Sequence, residues 1–267
     1  MKMRPVAGIV LRQIYLLRGS PVRLFPMVTW VAIDIVLWGF ITRYLNSVSG
    51  SGVNFVPTLL GGVLLWDFCT RIMQGVSTAF LEDVWSRNFL NLFASPLSIS
   101  EYIAGLVITS VMTSSMGLVV MLLLATGVFH LQFFSLGLPL VAFLMLLFVF
   151  GITLGIFAAA IVLRLGPASE WLLWPLPALL SPFAAVFYPL AILPHWMQWV
   201  AHGLPPAYVF EGMRSLLNGR AFPTAALLQG TVIAVAELLL ATYFYSRVYG
   251  QAVRTGLLAR YSAESAA

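Results

Sequence analysis

Four ionisable residues lie inside long apolar runs of the chain: Asp34, Asp67, Arg71 and Glu237. An isolated charge at the centre of a bilayer costs ~2.5–3.5 kcal/mol on insertion scales, so each of them needs a partner or contact with water. Arg71 follows Asp67 by one helical turn, and it can pair with Asp67 or, across helices, with Glu237. The four side chains therefore either hold helices together as a polar cluster or line a hydrated path between helices.

The composition is that of an integral membrane protein. Of the 267 residues, 61% are hydrophobic and 9% are charged, whereas a soluble domain is about half apolar and ~25% charged. The single cysteine, Cys69, lies in an apolar run, which excludes an intrachain disulfide and favours a packing role. His130, His195 and His202 have no carboxylates at ligand spacing, so no metal site is expected.

Motifs for catalysis are missing from the sequence. The only lysine is Lys2, which excludes a phosphate-binding G-x-x-x-x-G-K-[ST] loop. Neither G-x-S-x-G nor H-E-x-x-H occurs, so an intramembrane enzyme is disfavoured. We expect no catalytic residue and no cofactor site in this chain. If the protein uses ATP, another polypeptide must hydrolyse it.

The apolar runs predict one all-α membrane domain, residues 1–267, with six transmembrane helices. Residues 1–23 are predicted to form a basic amphipathic connecting helix on the membrane surface. The spans fall within residues 24–79 (first and second), 99–187 (third to fifth) and 223–246 (sixth), and a tail covers 247–267. The fifth span begins at Trp171 and contains Pro175, Pro177 and Pro182. In the fourth span, Gly151-x-x-x-Gly155 predicts close helix packing.

A charged segment, residues 80–98, separates the second span from the third. Glu82, Asp83 and Arg87 are interspersed with apolar residues at helical spacing, and Pro96 ends the helix. Such a segment cannot lie in hydrocarbon, so it is predicted to lie at the membrane surface, within reach of a soluble partner. The other interpretation is a connector whose apolar face rests among lipid headgroups.

The basic residues indicate the orientation of the chain. The N-terminal segment, segment 80–98, the turn at 164–170 and the tail carry most of the arginines, whereas the opposite face carries Arg43, Arg214 and Arg220. Because cytoplasmic loops are enriched in Lys and Arg, both termini are predicted to be cytoplasmic. The net charge of +5 follows this topology and does not indicate a nucleic-acid partner.

Residues 188–222 are too apolar for an exposed loop and too interrupted for a span. Two short helices, His195–His202 and Ala207–Asn218, are predicted there, each preceded by proline and followed by glycine. A re-entrant hairpin that enters the outer leaflet fits this pattern. Glu211 and Arg214 either stiffen an outer gate as an ion pair or form a solvated pair of little energy. The candidate gate residues are Pro189, Pro194, Trp196, Pro205, Glu211 and Arg214.

Two blocks of the sequence resemble the permease subunits of type-2 ABC exporters, the ABC-2 family. They are NFLNLFASPLSI at Asn88–Ile99 and AVFYPLAILPHWMQWVAHGLPPAYVFEGMR at Ala185–Arg214, of which the second is more specific. The resemblance covers essentially the whole chain. It implies a bacterial inner-membrane subunit that pairs with a second permease copy and with two separate ATPase subunits, which hold the ATP and Mg. Glu82–Pro96 would be the coupling helix.

The leading hypothesis is therefore the membrane subunit of an ATP-driven exporter, with an amphipathic, lipid-like, glycan, peptide or drug cargo. Pairing with itself or with a second, similar subunit is equally compatible with the sequence. An alternative is an ion-coupled secondary transporter that uses Asp34, Asp67 and Glu237 as a proton relay. Against this alternative, the two halves of the chain show no convincing repeat. A non-transporting assembly factor of similar architecture is a further alternative.

Overall fold

The computed structural model of the chain describes residues 3–19, 21–48, 56–86, 92, 97–131 and 137–255. Within these residues the secondary structure consists of helices, without a β-strand, which confirms the all-α class. The α-helices are α1 (Met3–Gly19), α2 (Pro21–Val48), α3 (Gly61–Trp85), α4 (Ile99–Phe129), α5 (Leu138–Leu165), α6 (Leu176–Leu180), α7 (His195–His202), α8 (Pro205–Leu217) and α9 (Thr224–Arg254). A π-helical turn, Val56–Leu60, leads into α3.

Several helices are long and apolar enough to cross a membrane, so the chain is a multi-pass membrane protein. In the described ranges there are five such segments: Thr29–Val48, Val56–Trp85, Ile99–Phe129, Leu138–Leu165 and Thr224–Arg254. The predicted fifth span is instead divided into the 3-10 helix Pro167–Leu172, the short α6 and a series of turns. Pro175, Pro177 and Pro182 lack the backbone N–H that a continuous helix requires. The count of six spans stays a prediction.

The centre of the bundle is the contact between α3 and α5. A Cβ atom added to Gly155 would lie 2.6 Å from Val76 Cβ, and one added to Gly151 would lie 2.8 Å from the Cys69 carbonyl oxygen. Only glycine allows the two backbones to approach this closely. The predicted close packing is thus confirmed, and it occurs within one protomer. Cys69 is 1% exposed and belongs to this core.

On its other side, α3 packs against α4. A Cβ atom on Gly75 would lie 2.5 Å from Ser110 Oγ, and this hydroxyl donates a hydrogen bond of 2.7 Å to the Ile72 carbonyl oxygen. α4 begins at a capping box, in which Ser98 and Glu101 each satisfy the other's backbone N–H. α1 and α2 pack against α4, and α9 packs against α5 and α8. α3 therefore lies between the two outer groups of helices.

Two sets of contacts define the ends of the bundle. At the α1 end, Arg12 is paired with Asp83, and the Trp85 indole N–H donates to Glu170 Oε2 over 2.8 Å. At the hairpin end, the ring of Trp66 lies 6.2 Å from that of Phe210 on α8. Trp66 and Asp83 are separated by ~25 Å along α3 at 1.5 Å per residue. The charged turns and the α7–α8 hairpin therefore lie at opposite ends of the protein.

Candidate functional site

A cavity of about 610 Å³, lined by both polar and apolar groups, lies between α1, α2, α3 and α4, with Trp174 from the segment after α5 on one side. α3 lines it with a stripe of residues spaced three or four apart, which is one face of a helix. The stripe consists of Asp67, Thr70, Arg71, Gln74, Gly75, Thr78, Ala79 and Glu82. It covers ~22 Å of helix at 1.5 Å per residue. The cavity therefore extends from the α1 end to beyond the middle of α3.

The facing wall of the cavity comes from α4, α1 and α2. α4 contributes small and hydroxyl-bearing residues, and its Gly117 leaves room for the Arg71 side chain, since an added Cβ would lie 3.1 Å from Arg71 Cδ. The remaining lining residues are Thr109, Thr113 and Ser114 of α4, Gln13 and Leu17 of α1, and Trp30 and Asp34 of α2. Side chains able to donate or accept hydrogen bonds thus surround a space large enough for a small molecule.

An ion pair is built into the α3 wall. Arg71 Nε donates to Asp67 Oδ2 over 2.7 Å, and both side chains are largely covered by protein. Asp34 lies across the cavity from this helix, so the structure brings three of the four predicted intramembrane charges to one space. Glu237 is not among the lining residues. It lies on α9, where its Oε2 is buried without a hydrogen-bond partner in the described part of the chain.

The charged segment after the second span differs from its predicted form at its first residues. α3 continues without a break to Trp85, so residues 80–85 are the end of a membrane helix. Asp83 is 1% exposed, and its carboxylate is paired with Arg12 and accepts a hydrogen bond of 2.8 Å from Tyr102. The sequence predicts a position at the membrane surface for Asp83, but these two partners hold its carboxylate in the interior. Glu82 lines the cavity, and Arg87 and Pro96 lie outside the described residues.

The predicted pair at the hairpin is present, with a buried Arg214 and a Glu211 side chain that is 40% exposed. Glu211 Oε1 accepts hydrogen bonds from the Leu190 backbone N–H over 2.6 Å and from Arg214 Nη2 over 3.0 Å. Arg214, 7% exposed, also donates to the Ala185 carbonyl oxygen over 2.7 Å. Burial lowers the pKa of Arg214, and the adjacent Glu211 opposes that shift. These bonds attach α8 to the chain that precedes α7, where Ala185 has a left-handed φ of 55°.

The other candidate gate residues mark helix boundaries at the same end. Pro189 precedes the 3-10 turn Leu190–Ile192, and Pro194 is the N-cap of α7. Pro205 is the first residue of α8, where its missing N–H costs no helix hydrogen bond. Trp196 is 62% exposed and contacts the ring of Phe183 edge-on at 6.0 Å. α7 and α8 match the two helices predicted from the proline and glycine pattern to within two residues.

A family model for the ABC-2 type transporter matches residues 16–218. The chain belongs to the ABC-2 type transporter family. The matched region includes the α3 stripe, the α4 wall and the α7–α8 hairpin. A search of curated proteins gave no match.

Membership of the ABC-2 family gives the cavity its functional context. Membrane domains of this family are permeases of ABC-type transporters, they are generally non-catalytic, and they pair with an ATP-binding subunit. Most residues that line the cavity lie in the matched region.

Sequence reasoning missed most of the cavity wall. Thr70, Gln74 and Thr78 were not predicted to line a cavity, because a single uncharged polar residue in an apolar span does not indicate a site. Their spacing was the available signal, since polar residues recur every three or four positions through an otherwise apolar span. Gln13 of α1 and Ser114 of α4 carried no comparable signal. Only the packing of α1 and α4 brings them to the same cavity.

Proposed function

We propose that this chain is the permease subunit of an ATP-driven exporter and that the cavity between α1, α2, α3 and α4 binds the cargo on its way out of the cytoplasm. One observation carries the proposal: the polar stripe of α3 ends at Glu82, beside the segment predicted to couple to the ATPase. The same helix, α3, thus lines a cavity large enough for a small molecule and ends at the proposed contact with the ATPase subunit.

In this proposal, a force that the ATPase applies to the end of α3 moves the helices around the cavity as one unit. Asp83 is held by Arg12 of α1 and Tyr102 of α4, so the three helices are tied at one point. ATP binding by two ATPase subunits would act on the segment Glu82–Pro96 and rock one permease copy against the second, in a homodimer or a heterodimer. Rigid-body movements of this kind are a common means of switching between two states.

We assign the extracytoplasmic end of the proposed transport path to the α7–α8 hairpin. We propose that the hairpin re-enters the outer leaflet, that both termini are cytoplasmic, and that the protein lies in a bacterial inner membrane. The bonds of Arg214 to Ala185 and Glu211 would keep the hairpin closed until the permease copies move. This chain would perform no chemistry, and the ATP and Mg would be bound by the partner subunit.

The test is a mild-detergent purification of this subunit from its native host, assayed for a co-purifying ATPase. A P-loop protein that hydrolyses ATP in the recovered complex would support the exporter. Recovery of this chain alone, with flux in liposomes driven by a proton or sodium gradient, would overturn it in favour of a secondary transporter. Of the carboxylates proposed for that relay, Asp34 and Asp67 share the cavity, whereas Glu237 does not.

A further inference from the structure

The described residues that line the cavity include more acidic than basic side chains. These described residues include three carboxylates, Asp34, Asp67 and Glu82, and one guanidinium, Arg71. Arg71 is already paired with Asp67 at 2.7 Å. Asp34 makes no hydrogen bond or ion pair of its own among the residues described. A molecule that enters this space therefore meets a carboxylate whose charge no neighbouring side chain has neutralised by direct contact.

Two buried polar groups on the same wall also lack partners. Gln13 is 4% exposed and Ser114 is 3% exposed, and both line the cavity. Gln13 Nε2 and Ser114 Oγ make no hydrogen bond within the described part of the chain. A buried polar group without a partner costs ~1–3 kcal/mol, so such groups are usually satisfied by water or by a ligand. These two groups are evidence that water or a ligand occupies the cavity, and this evidence does not depend on the carboxylates.

Two tryptophans that line the cavity are partly exposed. Trp30 and Trp174 both line it, yet they remain 62% and 50% exposed. Tryptophan is the aromatic side chain that attracts cations most strongly, through the negative face of its ring. It also provides a flat apolar surface for an organic group. The cavity volume of about 610 Å³ lies within the ~300–1,000 Å³ of pockets that bind drug-sized ligands.

We propose that the cargo of this cavity is a cationic amphipathic molecule, with its positive charge beside Asp34 and its apolar part against Trp30 and Trp174. Gln13 and Ser114 would bond to a polar group of the same molecule or to water that accompanies it. This assignment rests on the proposed function, because it takes the cavity as the cargo site. An anionic cargo is disfavoured, since the guanidinium among the described lining residues is already paired with Asp67 and the Asp34 carboxylate would repel an anion.

The test compares two ions of the same shape and opposite charge. The full chain, together with any ATPase that co-purifies, is placed in phosphatidylcholine nanodiscs without nucleotide. Binding of radiolabelled tetraphenylphosphonium and tetraphenylborate is then measured, with empty nanodiscs subtracted. Tetraphenylphosphonium should bind at least about tenfold more tightly than tetraphenylborate, and D34N should remove about that factor while D34E keeps it. E237Q is the matched control, a carboxylate in a membrane helix but outside the cavity, and should bind like the parent.

The outcomes separate the two proposals. Equal affinity for the two ions in the parent, or tighter binding of tetraphenylborate, would overturn the cationic assignment. So would an unchanged preference in D34N. If D34N does not elute as a folded protein, the variants W30L and W174L test the cationic assignment instead. Each of them should weaken tetraphenylphosphonium binding. A clear cation preference without ATP-dependent flux in proteoliposomes would refute the exporter and leave the cavity's ligand class standing.

Discussion

Arg71 and Asp67 form an ion pair on the cavity wall, one turn apart on α3, with 2.7 Å between Nε and Oδ2. Both side chains are mostly covered by protein, at 14% and 17% exposure, so each depends on the other for charge compensation. The pair keeps the middle of α3 polar without leaving a net charge on that turn. Asp34, on the facing helix, lines the same cavity and makes no ion pair with a described residue.

Arg71→Leu should destabilise the protein by ~2–3 kcal/mol, because it leaves the Asp67 carboxylate without its counterion. The midpoint of thermal unfolding in mild detergent, followed by size-exclusion chromatography, measures the loss. The double variant D67N/R71Q is the control and should be less destabilised than R71L, since it removes both charges. An R71L protein as stable as the parent would contradict a structural role for the pair.

Tyr102→Phe should cost ~1–2 kcal/mol in thermal stability, because the buried Asp83 carboxylate loses a hydrogen-bond donor. Tyr243→Phe is the matched control: the Tyr243 hydroxyl accepts a bond from Arg247 on the exposed surface of α9. Its removal should change stability by less than ~0.5 kcal/mol. If the two variants behave alike, the Arg12–Asp83–Tyr102 contact does not tie α1 and α4 to α3.

Glu82→Ala should lower the amount of ATPase subunit that co-purifies, by roughly fivefold if one exposed charge pair of ~1 kcal/mol is lost. The amount of this chain in the membrane should not change, because Glu82 is only half-buried. Asp34→Asn is the control, a carboxylate of α2 that lines the same cavity, and should retain the ATPase. Full recovery of the ATPase with E82A would remove Glu82 from the proposed coupling surface.

Gly155→Ala should destabilise the α3–α5 contact by ~1–3 kcal/mol, because the new methyl group would lie 2.6 Å from Val76 Cβ. Gly127→Ala is the matched control in α4, where an added Cβ has no neighbouring atom within 4 Å. Alanine is the better helix former, so G127A should be neutral or slightly stabilising. Equal unfolding midpoints for the two variants would show that α3 and α5 are not closely packed at Gly155.

Arg214→Lys should weaken the hairpin by ~2 kcal/mol, because lysine cannot reproduce a planar guanidinium that bonds to Ala185 and Glu211 together. Protease cleavage between residues 185 and 205 measures the effect as a higher initial rate. Arg220→Lys is the control at an exposed arginine just after α8 and should be cleaved like the parent. Parental cleavage of R214K would mean that the Arg214 bonds do not hold the hairpin closed.

Most of the long helices, the two helices of the hairpin and the G-x-x-x-G contact could be predicted from the sequence, whereas the division of the predicted fifth span and the extension of α3 to Trp85 could not. The features that could be predicted depend on local properties: runs of apolar residues, proline without its N–H, and glycine at four-residue spacing. The α7–α8 hairpin was predicted for the same reason, and the Glu211–Arg214 pair because the two residues are one helical turn apart. The family resemblance was likewise carried by contiguous blocks of sequence, and the family match confirms it.

What only the tertiary structure decided is how the polar residues are distributed between helices. From the sequence alone, Asp34, Asp67 and Glu237 are all predicted to be intramembrane carboxylates. In the structure, α2 and α3 bring the first two to one cavity, whereas Glu237 lies on α9 and does not line it. In the sequence, Asp83 likewise has the features of a surface residue. The structure buries it because Arg12 and Tyr102, far away in sequence, converge on its carboxylate. Partners of this kind depend on how helices pack, which no local spacing encodes.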